Sequence, residues 1–296
     1  MASFVIPLIC AAGGALMGAA CQPIFNRLPE AWLQDYDYDP KDANTRPAKR
    51  MKRFPHSLIL IPATAILFFL GALANPLYFE QMDFLRIALM FLPSLPFAVV
   101  IMSDYLNRII PDHVVVVSGV LSVLGFVADS IGGSFWFSAD APFWHPLINR
   151  LIGGLIGAAL LLLLGWIGAL VSKREAMGHG DIKFIAVCGL LAGGYGLIFV
   201  LFFSFLLGGV AAVPLLIRKR LRIAREEREI RQSEDPERAR KILLIKQREI
   251  SFADDPDYIA FGPFLALGTL CFLLFETPIF RYYSENIRGT LEILFS

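Results

Sequence analysis

Charge is scarce in this chain, and cysteine is scarcer. Of its 296 residues 18% are charged, against about 25% in ordinary soluble domains. Hydrophobic residues make up 56%, and the mean hydropathy is +0.60. The apolar residues gather in blocks close to the roughly 20 residues a helix needs to cross a bilayer, which excludes a soluble enzyme with one tail anchor. The cysteines, Cys10, Cys21, Cys188 and Cys271, all lie inside apolar blocks, and no two form a C-x-x-C pair. A disulfide framework and a cysteine-built zinc ribbon are thereby excluded, and the thiols read as small buried hydrophobes. No Lys or Arg precedes Arg27, so the first apolar stretch lacks the basic start of a secretory signal and reads as a retained span. The basic segments have no interleaved aromatics, so no nucleic-acid partner is expected.

What is present is a series of apolar windows near 4–24, 57–76, 84–103, 113–130, 147–171, 183–198, 199–217 and 258–277. They predict an all-α, polytopic membrane helix bundle of about eight transmembrane helices, a single domain over 1–296. Between the sixth and seventh windows runs Ala192-Gly193-Gly194-Tyr195-Gly196, which favours a tight turn, with one long kinked helix as the alternative. Most of the 27 Lys and Arg fall in 25–56, in 218–257 and at the short links near Arg108 and Lys173-Arg174. With eight spans these all share one side, and the positive-inside rule makes it the cytosol. Residues 25–56 are then the first cytosolic loop. Residues 218–257 are a cytosolic basic insertion, helical from its i,i+4 pattern of Arg222-Glu226 and Arg225-Glu229 and interrupted at Asp235-Pro236.

An ionisable residue at the edge of an apolar run is costly to desolvate and is read as functional by default. Asp104, closing the third span, and Asp181, opening the sixth, both qualify, and the topology puts them on the same face. Two facing carboxyls suit amide hydrolysis: at close range both do not ionise readily, so one keeps its proton while the other draws a proton from water. Glycines at 178 and 180 would let a substrate strand approach the backbone beside Asp181.

Three stretches resemble the type IV prepilin peptidases, membrane aspartyl proteases of the GxGD class. Asp104 followed by Ile110-Pro111-Asp112 is similar to the first aspartate motif. Gly178-His179-Gly180-Asp181-Ile182-Lys183 is similar to the second, G-x-G-D-x-K, and Phe261 to Gly268 is similar to the F-G-P-F-L-A-L-G stretch of the last helix. A weaker likeness to the opening motif lies at 18–29. The resemblance implies Asp104 and Asp181 as the catalytic pair and Gly178 and Gly180 as shaping the site. Lys183 would tune a neighbouring carboxylate or snorkel at a span end; Asp112 would cap the next helix, and is the second candidate for the role of Asp104. It further implies a multi-pass protein of the bacterial inner membrane that removes the short basic leader of type IV prepilins or pseudopilins at the cytosolic face. The acidic run Asp35-Tyr36-Asp37-Tyr38-Asp39 is a candidate leader dock. Many bacterial members also carry two C-x-x-C pairs in the first loop and methylate the new N-terminus. Residues 25–56 hold no cysteine, which argues against zinc, S-adenosylmethionine and methyl transfer; no cofactor is expected.

Two other readings stay open at this point. His113 and His179 could join the aspartates in a metal-dependent hydrolase, and the aspartates could bind a proton or cation in a transporter or scaffold. The tryptophans of 131–146, Trp136 and Trp144, read as interface anchors.

Overall fold

The computed structural model describes residues 4–34, 47–133, 140–172, 178–232, 237–238, 260–283 and 285. Those residues form helices and no strand, as a chain in lipid requires, because each helix satisfies its own backbone. We label the long helices α1 (Val5–Arg27), α2 (Leu58–Ala74), α3 (Phe84–Phe91), α4 (Ser94–Asn107), α5 (Asp112–Gly132), α6 (Trp144–Ser172), α7 (His179–Gln232) and α8 (Gly262–Tyr282). Helices α3 and α4 together make one span, Phe84–Asn107, so seven helices among the described residues are long and apolar enough to cross a membrane. The protein is thus a multi-pass membrane helix bundle.

The seventh label hides a reversal. Helix α7 has 54 residues, roughly 80 Å of helix at 1.5 Å per residue and far more than one crossing. It breaks at Gly193, whose φ of 74° and ψ of 171° belong to a region that only glycine adopts comfortably. The neighbours along α6 reveal the direction. Gly153 packs against Gly189 on one side and against Gly193 and Gly194 on the other. One turn further along α6, a Cβ at Gly157 would lie 3.1 Å from the Ile185 carbonyl and 3.4 Å from the Leu197 side chain. As α6 advances, its neighbours count down from Gly193 to Ile185 and up from Gly194 to Leu197, so the segments before and after Gly193 are antiparallel arms of a hairpin. Counting both arms, the described residues hold eight apolar helical segments in the bundle. The turn falls at Gly193, inside the Ala192–Gly196 stretch that the sequence marks for a tight turn, because the glycine conformation, and not hydropathy, decides where the chain turns.

Helix α8 completes the bundle by running back along the second arm. A Cβ at Gly196 would meet the Phe272 ring at 2.6 Å, one at Gly268 would meet the Val200 carbonyl at 2.7 Å, and one at Gly208 would meet Phe264 at 3.6 Å. Helices α1 and α2 pair closely, with the buried Thr64 hydroxyl donating to the Gly14 carbonyl at 2.7 Å. The core is centred on α4, the first arm of α7 and α8, where Phe97, Phe184, Ile185, Leu191 and Leu265 are fully buried. The second arm continues past the apolar window as a mostly exposed helix to Gln232. Of the basic insertion read at 218–257, residues 233–236 and 239–257 lie outside the described residues.

Candidate active site

Asp104 stands one turn before the end of α4. That end is set by Arg108, which adopts the left-handed conformation (φ 61°, ψ 31°) and donates its N–H to the Asp104 carbonyl at 3.0 Å. The chain then passes Ile110 and Pro111 and starts α5 at Asp112. Asp181 sits in the first turn of α7, its N–H donating to the Gly178 carbonyl at 3.2 Å. Both acids are therefore on the same end of the bundle, at 6% and 7% exposure, and near enough for the charge of Asp104 to act on Asp181.

Their surroundings leave part of each carboxyl available. The Gly262 N–H donates to the Asp104 carboxylate, and the Arg108 guanidinium is within Coulombic reach. Even so, Asp104 Oδ2 and Asp181 Oδ1 are buried without a hydrogen-bond partner among the described residues. Unpaired buried carboxyl oxygens are expensive, and one on each of two neighbouring acids invites a shared guest that can both donate and accept. A water molecule or a peptide group has that chemistry.

Two glycines and one isoleucine define the space. A Cβ at Gly262 would lie 2.6 Å from Asp104 Oδ2 and 2.9 Å from Ile110 Cδ1. One at Gly180 would lie 3.3 Å from Ile110 Cβ. Buried Ile110 thus wedges between the start of α7 and the start of α8, and only glycine lets both helices close on it. Gly178 is looser, since its Cβ would stop 3.8 Å from Asp181 Oδ2. Neither Ile110 nor Gly262 stood out in the sequence as a site residue, although both fall inside quoted motifs.

Lys183 and Asp112 pair with each other. The lysine Nζ is 3.0 Å from both Asp112 oxygens, and the two side chains are 46% and 44% exposed. The pair ties the start of α7 to the start of α5. Asp112 occupies the first turn of α5 while Pro111 holds the cap position without a side-chain bond, so its carboxylate serves the lysine where the sequence suggested a helix cap. His113 stacks on Trp32 at 3.7 Å with the rings 9° apart. No group of three or more His, Cys, Asp or Glu able to hold a metal gathers among the described residues.

The first loop is stitched to this end of the bundle. The Asn107 carboxamide accepts from the Lys49 N–H at 2.7 Å and donates to the Lys49 carbonyl at 3.2 Å, and Asn26 makes the same paired contact with Met51. Arg50 donates to Glu30 at 2.5 Å and to the Leu28 carbonyl at 2.8 Å. Burial pushes the Glu30 carboxyl up, but hydrogen bonds from the Ala48 N–H, Arg50 and Gln34 outweigh it and hold the group below its ordinary value. The stabilisation from this tether is fully present above the ordinary carboxylate range and is lost as pH falls through the lowered value. The acidic run Asp35 to Asp39 lies outside the described residues. An apolar cavity of about 310 Å³, lined by Leu60, Ala98, Ile101 and Leu270 with His56 and Tyr105 at one end, opens between α2, α4 and α8. It lies about a quarter-turn round α4 from Asp104.

The fold and this end of it define a polytopic membrane protein with two adjoining buried aspartates. Residues 90–213, which include both aspartates, match the type IV leader peptidase family, and the likeness to type IV prepilin peptidases read from the motifs holds. The chain is similar to the prepilin leader peptidase/N-methyltransferase of Pseudomonas putida, 36% identical over 73 residues that cover 25% of each chain. Its counterpart in Aeromonas salmonicida (strain A449) is 28% identical over 142 residues, 48% of this chain and 38% of that one. The Neisseria gonorrhoeae protein of the same name is 35% identical over 83 residues, 28% and 29% of the two chains. The chain thus spans between 25% and 38% of the length of these relatives. No solved structure matches it significantly.

Proposed function

We propose that the protein is an aspartic endopeptidase that removes the leader of type IV prepilins or pseudopilins, with Asp104 and Asp181 as its catalytic pair. The observation that carries this reading is the pair itself: two buried carboxyls, each with an unpaired oxygen, within the stretch that matches the leader peptidase family. In the reaction one carboxylate takes a proton from the attacking water while the other, protonated, donates to the oxygen of the scissile carbonyl. Collapse of the tetrahedral adduct sends a proton to the leaving amine, and the two acids exchange roles. Gly178 and Gly180 leave room for an extended backbone beside Asp181, and Lys183 with Asp112 braces the start of its helix.

Charge supports a cytosolic site in a bacterial inner membrane. Arg27, Arg53, Arg108 and Lys183 sit at the aspartate end of the bundle, together with the first loop and the arginines after residue 217, which we read as the 25–56 and 218–257 segments of one membrane unit. Arg86 and Arg150, at the other end, are buried and matched by Asp129. The relatives' names include N-methyl transfer. With no cysteine in 25–56, the proposal is confined to leader removal.

The test is cleavage of a co-expressed or detergent-solubilised prepilin by the purified protein. We expect the leader to be removed, and at the same rate after EDTA treatment. An intact prepilin would sink the reading, and activity lost to EDTA and restored by zinc would favour a metal hydrolase.

A further inference from the structure

The α7 hairpin breaks its backbone at Gly193, inside the packed bundle. Its first arm, 179–192, is about 14 residues or roughly 21 Å long. The break at Gly193 is itself buried, away from water. A helix that ends away from water leaves its last carbonyls unpaired, and the one that restarts leaves its first N–H groups unpaired, so both need partners from protein.

Two consecutive residues of α6 meet the need. Asn149 Oδ1 accepts from the Gly194 N–H at 3.0 Å and the Tyr195 N–H at 3.4 Å. Arg150 Nη1 donates to the carbonyls of Leu190 at 3.0 Å and Leu191 at 2.6 Å. The arginine is oriented by Asp129, whose Oδ2 receives its Nε at 3.1 Å and its Nη2 at 2.7 Å. Asp129 Oδ1 accepts from Arg86 at 3.2 Å, and Arg86 lies 3.8 Å from Glu276 on α8. Arg86, Asp129 and Arg150 are each at most 7% exposed.

We propose that Asn149 and Arg150 are positioning residues for Asp181, fixing the height of the 179–192 helix along the bundle and so the meeting of the two aspartates. This rests on the reading of Asp104 and Asp181 as the reacting pair. Where α6 crosses this helix, Gly153 meets Gly189 backbone to backbone, while Leu190 and Ile185 pack over Gly154 and Gly157, apolar contacts that supply no directional bond. At the other end the Lys183–Asp112 pair is half exposed and correspondingly weak. The buried polar clamp is the stronger of the two anchors. Its reach to the carboxylate is about 14 Å along a stiff helix.

The test places cysteines at 104 and 181 in a chain whose own four cysteines are changed to serine, and measures linkage by a short bismaleimide in membranes. A second pair at 32 and 113 reports the fold. We expect efficient linkage of 104 to 181 with Asn149 and Arg150 in place, and linkage at least about tenfold slower in Arg150→Met, since small displacements weigh heavily on such geometry. The 32–113 link should persist, and Arg150→Lys should recover part of the rate. Retention of the 104–181 rate in Arg150→Met overturns the proposal. If that variant loses both links, Asn149→Ala decides, because it removes only the two N–H contacts: a slower 104–181 link supports the proposal and an unchanged one overturns it. Failure of the parent to link 104 to 181 would instead overturn the pairing of the aspartates.

Discussion

Asp104→Asn and Asp181→Asn are each expected to lower leader removal by at least about 10²–10⁴-fold, the range ascribed to a positioned acid or base. Each amide keeps the shape of the side chain while losing the ability to cycle a proton. Because both acids are almost wholly buried and keep an unpaired oxygen, replacing either by a neutral amide removes a group that is costly to bury and should not unfold the bundle. The check combines a gel-shift assay on a co-expressed prepilin with thermal unfolding in detergent. Unimpaired cleavage by either variant would remove that residue from the mechanism. A collapsed melting transition would mean that the carboxyl is structural.

Gly262→Ala is the second large effect. The new methyl would stand 2.6 Å from Asp104 Oδ2 and 2.9 Å from Ile110 Cδ1, distances that real carbon atoms do not sustain. The carboxyl or the isoleucine must give way, and displacement of a reacting group by about 1 Å can cost on the order of 10²-fold. Gly180→Ala makes a calibrated comparison: its methyl meets Ile110 at 3.3 Å and touches neither carboxyl, so a loss of only a few-fold is expected. Measured kcat should separate the two variants, with the alanine at 262 far the more damaging. Equal rates would show that the start of α8 does not bear on Asp104.

Much of this was legible in the sequence, for identifiable reasons. Apolar windows mark spans because lipid imposes a length, and Asp104 and Asp181 stand out because each interrupts such a window at its edge. Hydropathy was blind to the turn at Gly193, since Gly194 and Gly196 are equally apolar and only the backbone angles choose among them. Lys183 also looked like a neighbour of Asp181 in sequence, whereas on the helix it points to Asp112. Asp129 and Glu276 were passed over, although each is an acid in an apolar run. Their partners Arg86 and Arg150 come from other helices, and no local pattern announces a pair closed across the bundle. What separates them from Asp104 and Asp181 is that Asp129 and Glu276 pair with arginines, while the other two each keep an oxygen without a hydrogen-bond partner among the described residues.

The borrowed caps at Gly193 also make the survival of the hairpin in the membrane conditional. A hairpin that depends on Asn149 and Arg150 to quiet its broken backbone has no settled home in the bilayer without α6, whether α6 reaches it in the same chain or in a separate one. A fragment beginning at residue 178 should therefore be degraded when made alone and be rescued by co-expression of residues 1–177, as followed by its half-life in a pulse-chase.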